Sequence, residues 1–97
     1  MTNLRQEARG EECTIRVPGT CCGNPETVVL CHVRIIGISG IGMKSPDVLA
    51  AYGCHPCHDL VDGRTKTNYT ADERRLFLLE GMARTQHRLI QRGILRW

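Results

Sequence analysis

Cys54 and Cys57, two residues apart with Pro56 before the second and His58 directly after it, constrain this chain more than any other feature. That spacing turns two thiolates onto one metal ion. Pro56 suits the first turn of a helix, where its missing N–H goes unused. The free N–H groups of such a start also favour thiolate. Cys13 and Cys21, flanking the Pro18-Gly19 turn, offer a second pair. Together they predict a tetrahedral four-sulfur zinc site of Cys13, Cys21, Cys54 and Cys57. Cys22 competes with Cys21, and Cys21 is preferred because the turn reaches it first. Cys31 reads as a small buried hydrophobe.

Composition explains why such a clip is needed. The chain has 97 residues, which fits a single domain over 1–97, and its only aromatic residues are Tyr52, Tyr69, Phe77 and Trp97. A domain with so thin a core usually needs a metal, a disulfide or a partner. The N-terminus is polar, without an apolar run of signal-peptide length, and no stretch approaches a membrane span. The expectation is a cytoplasmic protein in a reducing compartment, where closely spaced cysteines bind metal more often than they form disulfides.

Charge is uneven. Residues 1–63 balance to −2 and residues 64–97 to +5, within a net charge of +3. The basic half is mostly arginine, whose planar fork suits phosphate. A solvated helix surface would look the same from charge alone.

Residues 2–9 read as a short helix capped by Thr2 or Asn3 and ended by Gly10. Residues 13–17 alternate like a strand. Residues 27–36 form the best strand, rich in β-branched side chains and closed by Gly37. Alternation sends His32 and Arg34 out of it on the same side. Residues 37–46 form a glycine-containing loop whose Gly40-Ile41-Gly42-Met43-Lys44-Ser45 fails as a phosphate-binding loop, lacking glycine immediately before the lysine. Residues 47–52 suggest one helical turn. A helix from Pro56 to about Asp62 would end at Gly63. The longest helix spans 71–92, with Thr70 and Glu73 as a capping box. Leu76, Leu79, Met82, Ala83, Leu89 and Ile90 are its expected buried stripe, and Gly81 a weak point near its middle. Glu80, Arg84, Arg88 and Arg92 share an exposed face, either as a Glu–Arg pair with solvated arginines or as a row that tracks phosphates.

His55 is expected to point outward, and His87 to be a surface residue. His32 and His58 remain. A strand histidine, a loop and then Cys-x-x-Cys-His opening a helix resembles an HNH endonuclease. In that fold a β-hairpin and a helix grip a catalytic metal, and zinc cysteines often brace the frame. Nearly end to end, the chain also resembles the YbcO-like family, small prophage proteins described as nucleases on the basis of fold. The match rests on Ala8-Arg9-Gly10, residues 13–19 (CTIRVPG), residues 23–27 (GNPET), His32, the Cys54/Cys57/His58/Asp59 cluster and residues 79–86 (LEGMARTQ).

The resemblance implies an α+β, zinc-stabilised treble-clef (ββα-metal) domain with a long C-terminal helix. It also implies a metal-dependent DNA endonuclease encoded by a prophage. His32 would be the general base and His58 a ligand of a catalytic magnesium or manganese ion, with Asp47 or Asp59 beside it. The HNH pattern often has an acidic residue or histidine just before the first histidine, where this chain has Cys31, a poor magnesium ligand. Arg34, Arg64, Lys66, Arg84 and Arg88 would hold phosphates of the DNA backbone. A zinc-stabilised nucleic-acid-binding module without catalysis would keep the cysteines and arginines and would not need His32.

Overall fold

The computed structural model describes residues 4–35 and 46–95. In chain order the elements are α1 (Leu4–Glu7), a 3-10 turn (Pro25–Thr27), β1 (Val29–His32), β2 (Ala50–Gly53), α2 (His55–Val61) and α3 (Ala71–Gln91). The fold is small and α+β, with a two-stranded sheet and a long C-terminal helix. β1 and β2 are antiparallel, pairing Val29 with Gly53, Leu30 with Tyr52, Cys31 with Ala51 and His32 with Ala50. The expected cap of α1, the loop over residues 37–45 and Trp97 lie outside the described residues.

β2 is buried along its whole length. β1 pairs along one edge of it, and α3 packs against it. Residues 47–52, expected as a helical turn, instead make a turn at Asp47 and Val48 and then enter β2. Alanine and glycine have weak strand preference by themselves. Their small size is what lets a helix lie close over them. A Cβ on Gly81 of α3 would come within 3.1 Å of the Ala51 Cβ and of the Ile15 Cα and Cγ1. Gly81 therefore lets the helix lie close over β2 and the Ile15 segment. An interior glycine costs a helix about 1 kcal/mol relative to alanine, and the close packing offsets that cost here.

The buried face of α3 is centred on Gly81, Thr85 and Leu89. Leu76 and Ala83, expected in the stripe, are exposed. The face is turned because two threonines satisfy the outer edge of β2. Tyr52 N–H donates to Thr14 Oγ1 at 3.1 Å and to Thr85 Oγ1 at 3.0 Å. Thr14 N–H donates to the Tyr52 carbonyl at 2.7 Å. A buried strand edge must find such partners.

Residues 13–17 do not form the expected strand. Arg16 has a positive φ of 53°, which breaks the extended backbone there. Ile15 and Val17 are buried and Arg16 is exposed, as alternation would have it, but alternation would also expose Thr14. Thr14 is buried because it closes the β2 edge. The regular part of the best strand is shorter than expected, Val29–His32 in place of 27–36. The helix termini follow the sequence more closely. Thr70 Oγ1 accepts from Glu73 N–H at 3.1 Å, and Glu73 Oε1 accepts from Thr70 N–H at 2.9 Å, the reciprocal pair of a capping box. Gly63, with φ of +80°, follows α2 in the conformation that favours glycine.

Candidate functional site

α2 carries two groups of chemically active side chains. Its N-terminal end holds the sulfurs. Cys54 is the N-cap, and Cys57 lies inside the first turn. The turn at residues 17–21, closed by Cys21 N–H donating to the Val17 carbonyl at 3.0 Å, brings Cys21 back to them. The ligand atoms of Cys13, Cys21, Cys54 and Cys57 all lie within 4.8 Å of one another. Cys22 points elsewhere, to Thr27 Oγ1 at 3.7 Å. The same Thr27 hydroxyl accepts from His55 N–H at 3.3 Å, tying the 3-10 turn to the start of α2.

This donor set fits zinc. A tetrahedral ion with Zn–S bonds of about 2.3 Å holds its sulfurs about 3.8 Å apart. The Cys54 and Cys21 sulfurs are 3.8 Å apart. Protonation in the cluster is uneven. Cys13 is drawn down to about 4, chiefly by the hydrogen bond from Cys57 and further by backbone N–H groups of Arg16 and Cys54. Cys57, which donates that bond, is pushed up by it and by desolvation. Burial raises Cys54 to about 11. Packed sulfurs without a cation retain protons, because several buried thiolates would repel one another. The four cysteines could hold a metal such as zinc.

The other group of side chains lies one residue further along α2. His58 and His32 line the same cleft, of about 610 Å3, together with Arg34, Asp62, Arg64 and Arg75. Each histidine has a carboxylate on Nε2. For His32 it is Asp47, at 2.7 Å. For His58 it is Asp62, at 3.0 Å and one turn along the same helix. Asp47 reaches His32 because the 46–49 turn, closed by Leu49 N–H to the Pro46 carbonyl at 2.9 Å, precedes β2. In the sheet register, Ala50 lies opposite His32.

The sequence placed Asp47 or Asp59 beside His58. The structure puts Asp47 on His32 and Asp59 beside His55 at 3.3 Å, with Arg64 at 3.8 Å. Cys31 does not face the cleft. It packs inward, where a Cβ on Gly53 would sit 2.6 Å from its sulfur, and burial pushes its thiol up to about 12.

The chain matches the family model described as "Putative nuclease YbcO" over residues 2–94. It belongs to the YbcO family. It is 47% identical over 96 residues to "Putative nuclease YbcO" of Escherichia coli K12, covering 99% of both chains. A protein of Enterobacteria phage 82 with the same description matches equally, at 47% over 96 residues. Among solved structures it is similar to a bacteriophage protein from Escherichia coli K-12, with a TM-score of 0.78 and 44% identity. That match covers 94% of this chain and all of the other.

In this YbcO-family chain, sequence reasoning missed two residues of the cleft. Asp62 had a legible signal, four positions after His58 on a predicted helix. Arg75 had none, since only the packing of α3 brings it there; its Nη2 donates to the Arg34 carbonyl at 3.2 Å. Arg34 and Arg64 are in the cleft, as is His58. Lys66 is exposed and is not among the cleft residues. Arg84 and Arg88 lie on the other side of α3 and are engaged within the molecule. Arg84 donates to the Thr14 carbonyl at 2.7 Å and pairs with Glu80 at 3.1 Å; Arg88 pairs with Glu11 at 3.3 Å.

Proposed function

We propose that this protein is a metal-dependent DNA endonuclease of HNH type, hydrolysing phosphodiester bonds in the cleft between β1 and α2. The hairpin followed by a helix, with the sulfur cluster at the helix start, supports a zinc-braced treble-clef frame. The observation that carries the reading is the pairing of His32 and His58 in one arginine-lined cleft, each with its own carboxylate.

In this mechanism His32 Nε2–H donates a hydrogen bond to Asp47, which keeps its charge. That leaves the lone pair on Nδ1, so Nδ1 is the atom that takes a proton from the attacking water. The water oxygen forms the new bond to phosphorus as the bond to the leaving sugar oxygen breaks. Arg34 and Arg75 hold non-bridging oxygens of the phosphate, where a guanidinium forms paired hydrogen bonds.

His58 and Asp62 would hold the divalent ion. The imidazole and the carboxylate lie side by side at the cleft wall, with 3.0 Å between His58 Nε2 and Asp62 Oδ2. An oxygen and an imidazole suit manganese well, and magnesium would lean on Asp62. When bound, the ion would neutralise charge on the phosphate and the leaving oxygen. Asp62 thus supplies the hard ligand that Cys31 cannot.

The test is plasmid nicking with magnesium or manganese by the wild type and by His32→Ala and Asp62→Ala, all zinc-loaded. Loss of nicking in both variants supports the assignment. Equal nicking by wild type and His32→Ala would remove His32 as base. Duplex binding without nicking by the wild type under any divalent ion would favour a binding module without catalysis.

A further inference from the structure

The nuclease reading leaves open which arginines meet the nucleic acid. The charge count favours α3, whose arginines follow at four-residue intervals. The contacts favour another surface. Every described arginine from Arg84 to Arg92, on α3 or at its C-cap, is already held. Arg84 is held by Thr14 and Glu80, Arg88 by Glu11, and Arg92 by Glu7 and by Glu11 at 2.9 Å. A phosphate would have to displace these partners.

β1 presents a different picture. Leu30 and His32 line the catalytic cleft and also a second, adjoining groove. That groove carries Arg5 and Arg9. Arg9 is exposed and has no side-chain ion pair among the described residues. In the cleft, Arg75 is held through one Nη2 bond to the neutral Arg34 carbonyl at 3.2 Å, with no carboxylate on it, and Arg64 makes only loose, exposed contacts, at 3.6 Å to Asp62 and 3.8 Å to Asp59. Exposed pairs at such distances are worth little, so a phosphate can take their place.

We propose that the DNA path crosses β1 at His32. Arg9 would hold a phosphate on one side of the scissile bond, and Arg34, Arg64 and Arg75 would hold phosphates on the other. The α3 row would then be structural, tying the long helix to the N-terminal segment through Glu7 and Glu11. The form that suits this path is duplex. Single-strand sites rely on aromatic side chains on which bases stack. Among the described residues, no phenylalanine, tyrosine or tryptophan lines either groove. A surface of arginines without stacking platforms grips phosphates and leaves the bases paired.

This inference rests on the nuclease reading, but it can fail alone. The experiment uses zinc-loaded His32→Ala, so that substrate is not consumed, and measures anisotropy of a labelled duplex and of its single strand across salt. Into that background go Arg9→Gln, Arg75→Gln and Arg88→Gln singly, each measured well below its own melting midpoint. Each phosphate contact contributes about 0.9 to the slope of log affinity against log salt for duplex DNA. Arg9→Gln and Arg75→Gln are expected to lower that slope by about one each. Arg88→Gln is expected to leave it unchanged, and duplex is expected to bind more tightly than single strand. A slope that falls with Arg88→Gln and not with the other two overturns the path, as do equal losses in all three. Preference for the single strand overturns the duplex assignment. No binding at low salt, in the His32→Ala background and the wild type alike, overturns the nucleic-acid reading itself.

Discussion

α2 puts two unlike sites side by side, and the contrast explains how so small a chain can hold both. At its start, Cys54 and Cys57 are fully buried and face sulfur. One residue on, His58 is partly open and faces a carboxylate and three arginines. Position 57 points inward to the clip, and position 58 is turned about 100° around the helix axis, into the cleft. Burial makes the first site part of the fold. Exposure leaves the second open to the substrate that the proposed nuclease reading requires. Metal loss should therefore unfold the protein at the first site and silence it at the second.

The largest expected effect breaks the clip. Cys57→Ser, or a strong chelator at neutral pH, should abolish cooperative unfolding followed by circular dichroism. Apparent structural-zinc binding is worth about 10–16 kcal/mol in small zinc domains. Metal analysis should find about one zinc per wild-type chain, lost in Cys57→Ser and Cys21→Ser and retained in Cys22→Ser. Zinc retained in Cys21→Ser and lost in Cys22→Ser would reverse the choice of ligand.

The next effect breaks the cleft and spares the clip. His32→Ala should lower the nicking rate by about 10² to 10⁴, the usual contribution of a general base. Its zinc content and melting midpoint should stay near wild type. Asp47→Asn should lower the rate less, since the carboxylate acts only through His32. A rate loss accompanied by equal loss of zinc would merge the two sites into one.

A smaller effect tests the sheet beneath both sites. Gly81→Ala should destabilise by about 1–3 kcal/mol, despite its better helix preference, because the new methyl overpacks against Ala51 and Ile15. Thermal denaturation reads it directly. A stabilised variant would mean that α3 can move off β2 without loss. The smallest effect, about 1 kcal/mol, is expected for Thr70→Ala, which removes one half of the capping box. Its nicking rate should not change.

Much of the clip was legible from spacing alone. Cys54 and Cys57 are close in the chain, and a turn returns Cys21 to them. The capping box and the start of α2 were also readable, because caps are local hydrogen-bond devices. The cleft was legible only in part. His32 and Arg34 share a strand face through simple alternation, and both line the cleft. The partner carboxylates were assigned differently, since the turn that brings Asp47 to His32 depends on β2 pairing with β1. The buried stripe of α3 was misread at Leu76 and Ala83 for a related reason. Hydrophobicity marks apolar side chains, whereas this interface selects a glycine for closeness and a threonine for its hydroxyl.

By itself, the sequence determined the local devices: the two-residue cysteine spacing, the helix caps, and the histidine set one position past the clip. Each depends on groups a few residues apart, where backbone geometry dictates who can meet. The tertiary structure decided that residues 50–53 are a buried strand, that Asp62 and Arg75 belong to the cleft, and that the α3 arginines turn back to Glu7 and Glu11. Those outcomes join residues tens of positions apart. They depend on which surfaces can be buried together and on which polar groups must then find a partner.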